Sequence, residues 1–231
     1  MSDRRRCALL GFGHIAATTH LPALAACGIT PVAILETNPE RQALARQMLP
    51  QASVYGALQP LLAQTAPELV DVCTPPHLHA AQVQQALRAG AHVLCEKPLV
   101  TELQQLHALV QQARAAGRVL GCVHNWTAAP IVRAVGRLIA EGSLGALQHI
   151  DARTARTQPA AAAGAAHSWR GDPQLAGGGI VFDHGWHGMS ILLRWAGGRP
   201  TQVDAQLATR RHHHLAVEDS CEARIKFAGG V

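Results

Sequence analysis

The chain has 231 residues, 48% of them hydrophobic, 15% charged and only 3% aromatic, with a formal net charge of +5. That hydrophobic share excludes intrinsic disorder, and no run approaches the ~18 consecutive apolar residues of a membrane-spanning helix. So few aromatics leave no stacking platform for single-stranded nucleic acid.

The first half alternates short apolar runs with longer helical ones. Strands are predicted at Cys7–Leu10, Val32–Leu35, Leu69–Cys73, His92–Cys95 and Val119–Val123. Helices are predicted at Ile15–Ala26, Pro39–Met48, His79–Ala89 and Leu103–Ala116, several of them followed by Gly. Strand–helix alternation with continuously apolar strands specifies a doubly wound parallel sheet covered on both faces. From there the order changes: a helix at Ile131–Glu141, a strand at Ala146–Arg153, an Ala/Gly-rich loop at Gln158–Ala166, a helix at Ile180–Trp195, then strands at Gln202–Thr209 and Ser220–Phe227. The expected fold is therefore α/β, with a Rossmann-type domain over residues 1–122. A second, α+β domain over residues 123–231 is built around an open, mostly antiparallel sheet. The closing Gly229-Gly230-Val231 reads as a hairpin turn without its second strand, so a C-terminally truncated chain is expected.

Of the 20 basic residues only Lys97 and Lys226 are lysines. Apart from Arg4-Arg5-Arg6 and Arg210-Arg211 the positive charges are interleaved with Asp and Glu, a solvated surface rather than a nucleic-acid footprint. The six cysteines show no Cys-x-x-Cys spacing, and Cys7, Cys73, Cys95 and Cys122 sit in strand-like runs. They read as buried free thiols of a cytoplasmic protein. The basic start followed by apolar Cys7–Ala17 imitates a signal peptide. Cleavage there would remove Gly11, Gly13 and His14, so the segment is assigned to the mature chain.

Gly11-Phe12-Gly13-His14-Ile15-Ala16 follows the first strand and opens the first helix. The first Gly permits a tight turn, the second lets the backbone approach a pyrophosphate, and Ala16 allows close helix–strand packing. Glu36 ends the second strand, where a carboxylate accepts ribose hydroxyls and repels a 2′-phosphate, which favours NAD over NADP. Arg41, one helical turn on, is the counter-signal. Thr74-Pro75-Pro76-His77-Leu78-His79 lies at the carboxyl end of a strand, where open α/β sheets bind ligands. Zinc held by Cys73, His77 and His79 is disfavoured, because no further ligands are spaced to match. His212-His213-His214 reads as a solvated turn. Glu96-Lys97-Pro98 ends the next strand and keeps a lysine in a chain that otherwise uses arginine; an ammonium can give up its proton when desolvated. Asp183 and His187 lie four apart on a predicted helix, hence on one face, after Gly177-Gly178-Gly179.

In that order these motifs resemble the Gfo/Idh/MocA family, glucose–fructose oxidoreductase, inositol dehydrogenase and relatives. The resemblance spans essentially the whole chain and rests on Gly11–Ala16, Glu36, Thr74-Pro75 with His79, Glu96-Lys97-Pro98, and Gly177–Gly179 followed by Asp183 and His187. It implies an oxidoreductase acting on a secondary alcohol of a sugar, cyclitol or similar polyol. Gly11, Phe12, Gly13, His14, Ile15, Glu36, Thr74, Pro75, His79, Glu96 and Lys97 would hold NAD. Asn125, Trp126, Arg170 and His184 would bind substrate, with Lys97, Asp183 and His187 catalytic. His187 is expected to be the general base, since an imidazole ordinarily titrates at ~6.5. Lys97 would stabilise charge on the reacting oxygen, and Asp183 would orient the substrate. Many members carry Asn-Tyr-Arg-Phe ahead of a proline; here Asn125-Trp126-Thr127-Ala128 precedes Pro130. The family's substrate domain normally continues with further strands, and the full-length protein would be a homodimer or homotetramer without nucleic-acid or membrane partners. Two other activities suit the same fold: an NAD-requiring glycosidase, and a regulator that binds cofactor without turnover. The Lys97–Pro98 bond is expected to be cis.

Overall fold

The structure, a computed structural model, describes residues 6–155 and 169–231. Their contacts separate into two units, which divide between Val123 and His124.

The first unit carries six strands: β1 (Cys7–Leu10), β2 (Pro31–Leu35), β3 (Ser53–Tyr55), β4 (Leu69–Val72), β5 (His92–Cys95) and β6 (Leu120–Cys122). They lie in the order β3-β2-β1-β4-β5-β6, every neighbouring pair parallel. Between them run α1 (Leu21–Ala26), α2 (Pro39–Met48), α3 (Leu58–Thr65), α4 (Pro76–Arg88) and α5 (Leu103–Ala115). Alternating strand residues feed two cores. Ala8, Leu10, Ala33, Leu35, Val70 and Val72 pack beneath Leu61, Val83, Leu87 and Leu109, while Leu9 and Ile34 pack with Phe12, Ala16, Ala45 and Leu49. The strand order reverses between β1 and β4, and the carboxyl ends there carry the glycine turn and the Thr74 loop.

Three expectations are corrected in this unit. The β3–α3 pair is additional. Ser53–Tyr55 is too short to show periodicity, and Pro60 imitates a breaker although it sits in the first turn of α3, where proline is tolerated. Helix α4 starts at Pro76 rather than His79, so His79 belongs to its first turn. The helix after the glycine motif opens with a π-helical turn, Ala16–His20, before α1.

The second unit contains a 3₁₀ turn (Asn125–Ala128), α6 (Pro130–Ala140), α7 (Pro173–Ala176), a π-helical turn (Val181–Gly185) that runs into α8 (Trp186–Ala196), and the antiparallel pair β7 (Pro200–Ala208) and β8 (Ser220–Phe227). Among the described residues β7 and β8 pair only with each other, and Val203 and Leu207 are each 59% exposed. The strand predicted at Ala146–Arg153 does not form. Gln148–Ala152 instead border a cavity of about 1100 Å³ that β7 and β8 line from the other side. Without a ladder partner for its N–H and C=O groups, an extended segment is not a strand. The loop expected at Gln158–Ala166 lies outside the described residues. No helix among the described residues is long and apolar enough to cross a membrane.

Leu87 is 1% exposed in the larger core of the first unit. Leu87→Ala is expected to cost ~2–5 kcal/mol in urea unfolding followed by circular dichroism, whereas a loss below ~1 kcal/mol would contradict that packing.

Candidate functional site

Residues assigned to the nucleotide all lie in the first unit. Gly11 has φ +83°, and a Cβ there would stand 3.0 Å from the Thr74 methyl and 3.1 Å from the Cys73 carbonyl oxygen. Its N–H donates to the Leu35 carbonyl at 2.8 Å. A side chain would therefore push apart the ends of β2 and β4. At Gly13 the opposite holds: a Cβ would meet only the Arg41 guanidinium, at 3.9 Å. This open side at a helix start is the space a pyrophosphate needs. Phe12 is buried and Ala16 fully so, while His14 and Ile15 are exposed.

The Glu36 carboxylate is buried at the end of β2 and turned onto this turn. One oxygen accepts the Phe12 N–H at 2.9 Å, the other the N–H groups of Thr37 and Asn38 at 2.8 Å each. Asn38 caps α2 by accepting the Arg41 N–H at 3.0 Å, and the Arg41 side chain folds back to 3.5 Å from Glu36. Open backbone at Gly13 beside a fixed carboxylate fits the diphosphate and adenosine ribose of NAD.

On the other side of the switch point the Thr74 hydroxyl donates to Gln82 at 2.6 Å, and Pro75 precedes α4. His79 is fully buried; its ring nitrogens lie 2.7 Å from the carbonyl oxygens of Pro98 and Thr74. Burial holds its pKa below the ordinary histidine value, although the two carbonyls favour the charged ring. His79 thus braces the loop from behind, and its ring faces carbonyls rather than Cys73. The Lys97–Pro98 peptide is cis. The Glu96 carboxylate accepts the Lys97 N–H at 3.0 Å.

Residues assigned to substrate chemistry lie in the second unit, apart from Lys97. His187 is 6% exposed, and its ring stacks on Trp126 with centroids 4.6 Å apart and planes 13° from parallel. Trp126 is held by the 3₁₀ turn, in which Thr127 donates to the His124 carbonyl from both backbone (3.0 Å) and hydroxyl (2.7 Å). Asn125 on the same turn is exposed. The Asp183 carboxylate lies 3.8 Å from Arg170 Nε and 3.5 Å from His184 Nε2. The Arg170 guanidinium stacks 4.2 Å over the Trp169 ring. Trp126, Arg170, Asp183, His184 and His187 therefore form one cluster.

Sequence reasoning missed what starts the helix under that cluster. The Glu218 carboxylate accepts the N–H groups of Gly179 (2.8 Å) and Val181 (3.2 Å), and its backbone carbonyl accepts the Ile180 N–H (2.9 Å). A Cβ on Gly179 would collide with that carbonyl oxygen. The glycine run is thus a close approach to Glu218, and it sets where Asp183 leaves the first turn. Next to it, Asp219 accepts the N–H groups of Arg210, Arg211 and His212, which hold its carboxyl well below the usual range and shape the loop before His213. The signal was the adjacent Glu218-Asp219 pair at the mouth of a strand.

A parallel sheet with this turn and carboxylate is a dinucleotide-binding domain, and residues 5–124 match the family model "Oxidoreductase family, NAD-binding Rossmann fold". Residues 132–231 match the GFO/IDH/MocA C-terminal domain. The chain belongs to the Gfo/Idh/MocA oxidoreductase family, and its first unit is an NAD-binding Rossmann domain. It is 32% identical over 228 residues to a 1,5-anhydro-D-fructose reductase of Ensifer adhaerens, covering 98% of this chain and 67% of that protein. Among solved structures, the WlbA dehydrogenase of Bordetella pertussis in complex with NADH and UDP-GlcNAcA superposes with a TM-score of 0.83 at 27% identity, over 99% of this chain and 70% of that one. An inositol dehydrogenase homologue from Azotobacter vinelandii, complexed with NAD+, gives 0.85 at 25% identity, over 100% and 64% of the two chains. The chain spans 57–67% of the length of three curated relatives.

Loss of a helix cap typically costs ~0.5–2 kcal/mol. Glu218→Ala is expected to lower stability by about that amount, read by thermal unfolding through the tryptophans, all of which lie in the second unit. An unchanged melting curve would contradict the capping role.

Proposed function

We propose that the protein is an NAD-dependent oxidoreductase that interconverts a secondary alcohol of a sugar, cyclitol or similar polyol and the corresponding ketone. The observation that carries this reading is the cluster on one helix: buried His187, stacked on Trp126, four residues beyond an Asp183 that is itself held beside Arg170 and His184. Relatives that are named for reactions on sugars and cyclitols support it.

Bound NAD supplies the hydride acceptor, so the chain's own residues have to place the alcohol and move one proton. Gly11, Phe12, Gly13, His14 and Ile15 would offer backbone to the diphosphate, Glu36 would accept from the ribose, and Thr74 and Pro75 would wall the nicotinamide side. His79 would act through Thr74 and Pro98. Lys97 would hydrogen-bond the reacting oxygen and stabilise negative charge on it. His187 would take the hydroxyl proton as general base, its ring plane fixed by Trp126. Asp183 would orient the substrate and bias the His187 ring, with Asn125, Trp126, Arg170 and His184 offering further contacts to hydroxyls. Glu36 is the reason to assign NAD rather than NADP, because a 2′-phosphate beside a buried carboxylate is electrostatically unfavourable. The proposed assembly is a homodimer or homotetramer.

Titration with both nucleotides, followed by protein fluorescence, is expected to give tighter binding of NAD. Equal or tighter NADP binding would overturn that choice and assign the 2′-phosphate to Arg41. Turnover, measured as reduced nicotinamide formed from a panel of cyclitols, aldoses and amino sugars, should fall ~10²–10⁴-fold in Lys97→Ala and in His187→Ala while NAD still binds. Near-native activity in His187→Ala would remove that residue from the proton path.

A further inference from the structure

Asp71 stands in the middle of the central strand β4, opposite Leu9 of β1 and Leu94 of β5, with its side chain 1% exposed. A carboxylate so placed needs a partner, since burying an uncompensated charge is strongly unfavourable. The partner is His20, the last residue of the π-helical turn after the glycine motif and 6% exposed. Its Nδ1 lies 2.9 and 3.1 Å from the two Asp71 oxygens, and its Nε2 lies 2.9 Å from Glu96 Oε1. A neutral imidazole has one N–H and would turn a lone pair on one of these carboxylates, whereas the imidazolium donates to both. The second Glu96 oxygen accepts the Lys97 N–H at 3.0 Å. An unbroken chain of hydrogen bonds thus runs from β4 through His20 and Glu96 to the Lys97 backbone. On the far side, His79 holds the Pro98 carbonyl.

We propose that His20 is a positioning residue for Lys97: an imidazolium locked between Asp71 and Glu96, it fixes the carboxylate that holds the Lys97 backbone. The proposal rests on the reading of Lys97 as catalytic only for its effect on turnover; the geometry stands without it. Burial opposes a charge on His20, but the side-chain hydrogen bonds to Asp71, Cys73 and Glu96 outweigh it and push the pKa up to about 12. Burial also works against the Glu96 carboxylate, yet His20 and the Lys97 N–H hold its pKa below the ordinary value. Asp71 and Glu96 are also faced by the thiols of Cys7, Cys73, Cys95 and Cys122, which burial raises so that they remain neutral, by the His79 ring and by the Lys97 side chain. The Glu96-Lys97 turn is then held by an ion pair that persists across the working pH range, unlike an ordinary histidine contact, which switches near ~6.5.

The chain has only two lysines, Lys97 and Lys226, so ¹³C-dimethylated protein reports on Lys97 directly, with its signal assigned by Lys97→Arg. Nitrogen-15 spectra of histidine-labelled protein, with His20 assigned by His20→Gln, are expected to show both ring nitrogens protonated up to about pH 9, well above the ordinary range. Glu96→Gln keeps an oxygen for His20 but loses the carboxylate. It should shift the Lys97 resonance and leave that of Lys226 in place. It should also lower kcat about tenfold with a smaller change in KM. His20→Gln should do the same where it folds, and Glu96→Gln tests the link on its own where it does not. A His20 ring that loses one proton below about pH 8 would overturn the proposal. So would a Glu96→Gln protein with Lys97 resonance and kcat both unchanged. A shifted Lys97 resonance in a protein that turns over no polyol would sustain the positioning network and sink the functional reading instead.

Discussion

Between β2 and β4 there is room for a turn but not for a side chain. Gly11 fills that space with positive φ, its N–H on the Leu35 carbonyl and its α-carbon against Cys73 and Thr74. Much of the first unit depends on this contact. It lets β1 lie between β2 and β4 to its last residue. It also aims the following helix start at the switch point and brings the Phe12 N–H onto Glu36. The same helix then delivers His20 to Asp71. A glycine permits the turn at little steric cost, and the strand ends it joins carry the nucleotide-binding backbone.

The second unit repeats the device in different chemistry. At Gly179 a backbone carbonyl, that of Glu218, occupies the place of a side chain, and the carboxylate of the same residue caps the helix that carries Asp183 and His187. Both helices open with a π-helical turn, a geometry often found at functional sites. In each, a glycine close approach and a carboxylate partner help to fix the turn, and in the first Ala16 also packs in the apolar core. The apolar core of the first unit is extensive. In the second, Ala176, Val217 and Phe227 are the buried hydrophobic residues among those described.

The parallel sheet was legible because its strands are continuously apolar and its helices end at glycines. The glycine turn, Glu36, the Lys97 turn and the Asp183–His187 pair were legible because each is a local pattern with a chemical reason. Pairing across distance was not. Ser53–Tyr55 is a strand only because β2 stands beside it, and Ala146–Arg153 has the composition of a strand but lacks a partner. Asp71 carried a signal, an acid inside an apolar run, yet nothing local names His20, 51 positions away, as its counter-ion. Glu218 caps a helix that begins at Val181, 37 positions before it, and sequence spacing does not reveal that. His79 matched a motif, but its burial and its carbonyl partners Thr74 and Pro98, with α4 starting three residues earlier than its spacing suggested, were not legible.

In the proposed reaction the chain positions an alcohol and moves its proton, while the carbon-bound hydrogen passes directly to the nicotinamide. The most direct measurement uses a polyol substrate carrying deuterium at the oxidised carbon, with the reduced nicotinamide recovered and examined by NMR. Direct transfer predicts one deuterium at the nicotinamide C4 on a single face, with a slower turnover than the protiated substrate gives. Deuterium lost to solvent, or nicotinamide that stays oxidised while the substrate is consumed, would contradict it.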